Sequence, residues 1–213
     1  MRILLLPVSA LSPGDGQTNA RIEALPFGTS EKKRLLSLRH PAALCQSLGG
    51  LYALLALLPP EYAHRDLTIV RGPNGKPAFA DGSLPAFSIT HTGALCAAAV
   101  SEGSEGEIGI DMEPLTEKRD FMKITQRFFT AREQSAFDGT PQSFLTLWTR
   151  KEAYVKRCGD SLAGFLATGR DLPEGDFFES RRLDEPSGSF ILSMTADRAP
   201  QAIHIIRQEE NPT

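Results

Sequence analysis

The sequence predicts an α+β chain. Three observations predict it: short apolar or alternating runs that read as strands, a Gly- and Pro-free stretch with apolar residues at helical spacing, and an order in which strand, helices and strands come twice. At 213 residues and 41% hydrophobic, the chain is long enough for one large domain or two modest ones, with a core sufficient to fold without staples.

The first strand is Met1-Arg2-Ile3-Leu4-Leu5-Leu6-Pro7-Val8; Pro7 and the polar stretch after it cut the run short of a secretory leader. Helices are expected within about 29–58. There Leu44 to Leu58 is the most apolar segment, but it contains Gln46, Ser47 and the Gly49-Gly50 pair and is too short for a bilayer, so it predicts a buried helix and no membrane association. Strands follow near Leu67–Arg71 and Ala86–Ile89, and an alanine-rich one near Ala94–Ser101. A polar turn at Ser101-Glu102-Gly103-Ser104-Glu105-Gly106 separates the halves. The run Glu107 to Glu113 alternates polar and apolar residues, so as a strand it places Asp111 and Glu113 on one face, and Pro114 closes it. Helices at about 120–126, 131–138 and 142–158 and strands near Phe190–Thr195 and Ala202–Arg207 complete the order.

A net charge of -3 offers no global attraction to nucleic acid; positive charge is local, at Lys32-Lys33-Arg34 with Arg39 and at Arg150-Lys151 with Lys156. Cys45, Cys96 and Cys158 are an odd number without C-x-x-C spacing, which argues against a disulfide framework or zinc site and fits a reducing cytoplasm.

Two clusters carry chemistry. Carboxylates side by side, as at Asp111 and Glu113, repel unless a cation sits between them, and hard oxygen ligands suit Mg2+, with Mn2+ as a substitute. On the helix from Gln142 to Lys156, residues Trp148, Glu152 and Lys156 fall at i, i+4 and i+8 along one stripe. On that stripe Glu152 can complete a three-carboxylate metal site while Lys156, one turn on, reaches a phosphate oxygen or a leaving group, and Lys151 can add positive charge from the flank. Each signal alone has an ordinary reading: solvated acids on an exposed face, or a helix surface pair worth about 0.3–0.5 kcal/mol. Together and in this order they point to one cation and a phosphate-rich ligand.

Gly109-Ile110-Asp111-Met112-Glu113, followed about forty residues later by Trp148-Thr149-Arg150-Lys151-Glu152-Ala153-Tyr154-Val155-Lys156, resembles the paired signature of 4'-phosphopantetheinyl transferases, most closely the surfactin-synthetase-activating type. Gly75-Lys76-Pro77, Phe87-Ser88-Ile89-Thr90-His91-Thr92, and Arg127-Phe128-Phe129 with Glu133 agree with that type, so the resemblance spans about residues 71–162. Thr90 stands where Ser is frequent, and its hydroxyl still donates a hydrogen bond. The segment Glu31 to Gly49 resembles the family's early basic helix, where the 3'-phosphate of coenzyme A is held. Beyond about Gly169 nothing is diagnostic.

The resemblance implies two similar α+β halves with pseudo-twofold symmetry, residues 1–104 and 105–213, with the active site in the cleft between them. It implies Mg2+ held by Asp111, Glu113 and Glu152, and coenzyme A contacts from Lys32, Ser47, Lys76, Thr90, His91, Lys151 and Lys156. Glu152, Lys156 and Asp111 would be catalytic. The implied reaction moves the 4'-phosphopantetheine arm of coenzyme A to a serine of an apo acyl, peptidyl or aryl carrier protein and releases adenosine 3',5'-bisphosphate. A monomer is expected, because two halves in one chain already build the cleft. Two other readings share these residues: a non-catalytic carrier-protein binder, and a metal-dependent phosphohydrolase.

Overall fold

The computed structural model describes residues 1–10, 18–62, 66–103, 105–116 and 120–208. The chain begins with β1 (Arg2–Pro7), α1 (Thr18–Ala24), α2 (Thr29–Ser37) and α3 (Pro41–Leu57), then a small hairpin of β2 (Ile69–Arg71) and β3 (Pro77–Phe79), then β4 (Phe87–His91) and β5 (Leu95–Val100). It continues with β6 (Ile108–Pro114), α4 (Phe121–Phe128), α5 (Ala131–Ala136), α6 (Pro141–Cys158), α7 (Leu162–Ala167), β7 (Phe177–Glu185), β8 (Gly188–Ala196) and β9 (His204–Arg207). This is the mixed α+β composition that the sequence predicts. The sequence pattern does not predict α1, β3, α7 or β7.

One sheet runs β4-β5-β1-β9 and another β6-β8-β7. Apart from β9, both have the same connectivity: a first strand, a long helix, then an antiparallel hairpin whose second strand pairs with the first. Thus β1, α3, β4 and β5 correspond in order to β6, α6, β7 and β8. The exception is β9, which pairs in parallel with β1 and returns the end of the chain to the first sheet. The expected division after residue 104 falls on a residue outside the described ones.

Alternation along β1 decides the layers. Leu4 and Leu6 pack with Leu51, Leu54 and other α3 residues. Ile3 and Leu5 face the other way and share a cluster with Ile110, Met112, Leu192 and Met194 of the second sheet. Because β5 is buried on both faces, its alanines, all 0% exposed, leave room for α3 on one side and the second sheet on the other. The sheets also approach along β4 and β6, an edge strand of each. There the Ser88 Oγ accepts from the Ile110 amide at 3.1 Å, so a hydroxyl replaces the ladder carbonyl that an edge strand lacks. No helix among the described residues is long and apolar enough to cross a membrane.

Candidate metal and phosphate site

Local sequence rules set where α6 begins and ends. Thr140 caps its start, its Oγ1 accepting from the Ser143 amide at 3.1 Å, and Pro141 occupies the first turn, where an amide hydrogen has no helical partner. Gly159 ends it in the left-handed region at φ 72°. Leu145, Thr149 and Ala153, all 0% exposed, form the i, i+4 seam that lies on β6 and β8. The seam reaches unusually deep at Gly109 of β6, where an added methyl would stand 2.0 Å from the Ala153 carbonyl oxygen and 2.8 Å from the Arg157 amide nitrogen. Only glycine accommodates that approach.

Close docking brings the acids together. Asp111 and Glu113 lie on the β6 face toward α6, and a carboxylate oxygen from each, with one from Glu152, falls within 4.8 Å of the others; among the described residues this is the one such group of three acids. Asp111 is 3% exposed. Its Oδ1 accepts from Lys156 Nζ at 2.7 Å and from Thr90 Oγ1 at 3.1 Å, and Lys156 Nζ lies 3.1 Å from the same threonine oxygen. Its Oδ2 is buried with no hydrogen-bond partner. Burial pushes the Glu152 carboxyl up to about 8, with the Asp111 and Glu113 carboxylates adding to the rise and the Lys156 cation opposing it. Carboxylates this close need either a proton or a cation between them. Three hard oxygen donors, one of them a buried oxygen that the protein leaves unpartnered, fit Mg2+.

The other residues singled out by sequence separate into two groups. Thr90 and His91 stand at the end of β4 beside Lys156 and Asp111. The His91 imidazole is held below its usual range, first by desolvation and then by the Lys156 cation, against the pull of Asp111. A cavity of about 200 Å³ opens next to them, lined by Lys76, Ser88, Ile89, Lys156 and Asp160 among others. Lys76 borders it, but its ammonium bonds the Glu107 carboxylate and the Arg157 carbonyl at the end of α6, and Asn74 of the same turn donates to the Gly159 carbonyl at 3.0 Å. Lys32 on α2 donates to the Glu23 carbonyl at 2.6 Å, and Ser47 lies half-buried on α3. Next to Ser47, the Gln46 amide reaches the Thr92 carbonyl at 3.0 Å.

Lys151 differs most from expectation. Instead of lying on an open flank it is 1% exposed, its Nζ 2.7 Å from Glu133 Oε1 and 5.6 and 5.2 Å from the Phe129 and Phe165 ring centres. One residue along a helix is a turn of about 100°, which carries Lys151 away from Glu152 into the layer beneath α5 and α7. Trp148, one turn before Glu152, packs in an aromatic cluster, with its ring 5.9 Å from Phe144 and 6.5 Å from Phe129. Sequence reasoning missed Arg157, a 5% exposed guanidinium paired with Asp176 and, at 3.4 Å, with Asp197. Its place on the i, i+4 seam with Thr149 and Ala153 was the available signal. His40 and His204 are not among the site residues, and His64 lies outside the described residues.

Residues 107–209 match the family model described as the 4'-phosphopantetheinyl transferase superfamily. The chain is 33% identical over 109 residues to the putative 4'-phosphopantetheinyl transferase slr0495 of Synechocystis sp., covering 48% of this chain and 44% of that protein. It is 29% identical over 140 residues to the 4'-phosphopantetheinyl transferase AcpT of Salmonella typhi, covering 63% and 72%. With the 4'-phosphopantetheinyl transferase HetI of Nostoc sp. it shares 36% over 98 residues, covering 42% and 40%. The matched stretch is thus under half the length of the Synechocystis and Nostoc relatives. The 107–209 segment that matches the family model contains Asp111, Glu113, Glu152 and Lys156.

Proposed function

We propose that this protein is a Mg2+-dependent 4'-phosphopantetheinyl transferase that modifies a serine of an apo acyl, peptidyl or aryl carrier protein with the phosphopantetheine arm of coenzyme A. The observation that carries the reading is the meeting of Asp111, Glu113 and Glu152, with Lys156 on one oxygen of Asp111 and the other oxygen unpartnered. The names of the similar proteins point the same way. The repeated connectivity of the two sheets supports a reading as two related halves, and the cavity beside Lys156 is bordered by residues of both.

In this reading the serine oxygen forms a bond to the phosphorus that carries the pantetheine arm, the bond from that phosphorus to the bridging oxygen breaks, and adenosine 3',5'-bisphosphate leaves. Glu152, a carboxylate once a cation displaces the proton that the metal-free site retains, takes the serine proton. Lys156 faces the negative charge that builds on the phosphate oxygens, and Thr90 and His91 bind the same phosphates from β4. Asp111, Glu113 and Glu152 would hold Mg2+, which supplies charge neutralisation on the diphosphate. Lys32 and Ser47 are assigned to the 3'-phosphate region of coenzyme A.

Intact-mass spectrometry of apo carrier proteins incubated with the protein, coenzyme A and Mg2+ tests this. Transfer adds the arm to the carrier. Breakdown of coenzyme A without a carrier would instead mark a phosphohydrolase, and an unmodified but bound carrier a non-catalytic binder.

A further inference from the structure

Four side chains that the proposed chemistry leaves unused form a continuous hydrogen-bonded chain beneath α6. Arg150 Nε donates to Ser180 Oγ on β7 at 2.9 Å. Ser180 Oγ and Ser193 Oγ on β8 lie 2.8 Å apart, and Ser193 Oγ and Thr149 Oγ1 on α6 lie 2.7 Å apart. Thr149 Oγ1 then donates to the Leu145 carbonyl at 2.7 Å.

The two ends fix the direction of every bond between them. A guanidinium only donates and a carbonyl only accepts, and each hydroxyl has a single proton. Thr149 gives its proton to Leu145, so it accepts from Ser193; Ser193 therefore accepts from Ser180, which accepts from Arg150. All four donors point one way, from the charged guanidinium to the helix carbonyl. Ser193 and Thr149 are 0% exposed, so water does not compete at the middle of the chain.

A chain satisfied in one arrangement resists sliding or rotation of α6, because displacement strands a buried donor and a buried acceptor together. Its place in the fold is specific. Ser193 is the register partner of Asp111 across β6 and β8, and Glu152 follows Thr149 by three residues, close to one helical turn. The polar tie therefore acts at the level of the three carboxylates, while the neighbouring seam contacts, Leu145 and Ala153, are apolar and carry no such directionality.

We propose that Thr149, Ser180 and Ser193, anchored by Arg150, are positioning residues that hold α6 at the rotation where Glu152 meets Asp111 and Glu113. The proposal rests on reading those three acids as a cation site. Thr149 gives the sharpest test, because Val keeps its shape without the hydroxyl and Ser keeps the hydroxyl without the methyl. Dissociation constants for Mn2+ alone, and thermal midpoints, are compared for the wild type, Thr149→Val, Thr149→Ser and Ser193→Ala. Positioning predicts that Thr149→Val and Ser193→Ala weaken Mn2+ binding roughly tenfold or more and that Thr149→Ser stays near wild type. A packing role reverses the order of the two Thr149 variants. Mn2+ binding by Thr149→Val equal to wild type, or Thr149→Ser impaired as much as Thr149→Val, would overturn the proposal. Should the wild type itself hold no Mn2+, the cation reading falls, and crystal structures of the same variants decide the positioning claim. A Glu152 carboxylate displaced from Asp111 by about 1 Å in Thr149→Val but not in Thr149→Ser supports it, a shift large enough to matter at a reactive site; superimposable helices overturn it.

Discussion

The carbonyl of Ala153 on α6 occupies the space that a side chain on Gly109 of β6 would need, with only 2.0 Å between that oxygen and the position of an added methyl. Backbone meets backbone there, so neither side yields by turning a side chain. Gly109→Ala is expected to push α6 off β6, lower the thermal midpoint by an amount equivalent to about 1–3 kcal/mol, and separate Glu152 from Asp111. Thermal melts with Mn2+ titration on the same sample check both effects; a variant as stable as wild type with unchanged Mn2+ affinity contradicts the close-docking argument.

Lys151 tests how far burial overrides motif. Replacing it with Met leaves the Glu133 carboxylate buried beneath α6 without its cation, an arrangement that typically costs about 3–5 kcal/mol. Urea unfolding should show that loss. If Lys151 were a ligand contact instead, stability would hold and coenzyme A affinity, measured by calorimetry, would fall.

Lys76 is expected to act on the junction of the halves. Its ammonium joins the exposed Glu107 carboxylate, a pair worth at most about 1 kcal/mol, to the Arg157 carbonyl in the last turn of α6, a charged hydrogen bond worth about 1.5–3 kcal/mol. Lys76→Met should lower the melting temperature even without coenzyme A present. A wild-type melt combined with weakened coenzyme A binding would return Lys76 to the purely ligand-binding role that the resemblance implies.

The raised Glu152 carboxyl gives a pH signature. In the unfolded chain this group releases its proton near 4.5, and in the folded metal-free protein only near 8, so between those values the folded state binds more protons. Stability that depends on this proton is fully present below about 4.5 and declines as pH rises toward 8. A divalent cation competes with the same proton, so its affinity should increase with pH over that window and level off above it. Melts with and without Mg2+ from pH 5 upward measure both trends; a stabilisation by Mg2+ that is flat with pH would rule out Glu152 as the coupled group.

How much of this was legible in sequence follows from which contacts are local. The alternation along Glu107 to Glu113 placed Asp111 and Glu113 on one face, and the i, i+4, i+8 stripe aligned Glu152 with Lys156; both rules need only neighbouring residues. That the two stretches converge came from the resemblance, and physically it depends on Gly109, whose role is invisible until Ala153 lies over it. Lys151 was misplaced because the helix layer that buries it, α5 with α7, is defined by tertiary packing. The β7 strand escaped notice because Glu179, Arg181, Arg182 and Asp184 mask its period of two on a sheet edge. Nor could local pattern foresee that β9 pairs with β1 across the whole length of the chain.

The most direct test of the convergence of three acids on one cation is electron paramagnetic resonance of Mn2+ titrated into the wild type, Asp111→Asn, Glu113→Gln and Glu152→Gln. One bound Mn2+ per wild-type chain, weakened at least about tenfold by every one of the three substitutions with the fold retained, is the predicted result. Mn2+ bound as tightly by Glu152→Gln as by the wild type would contradict it.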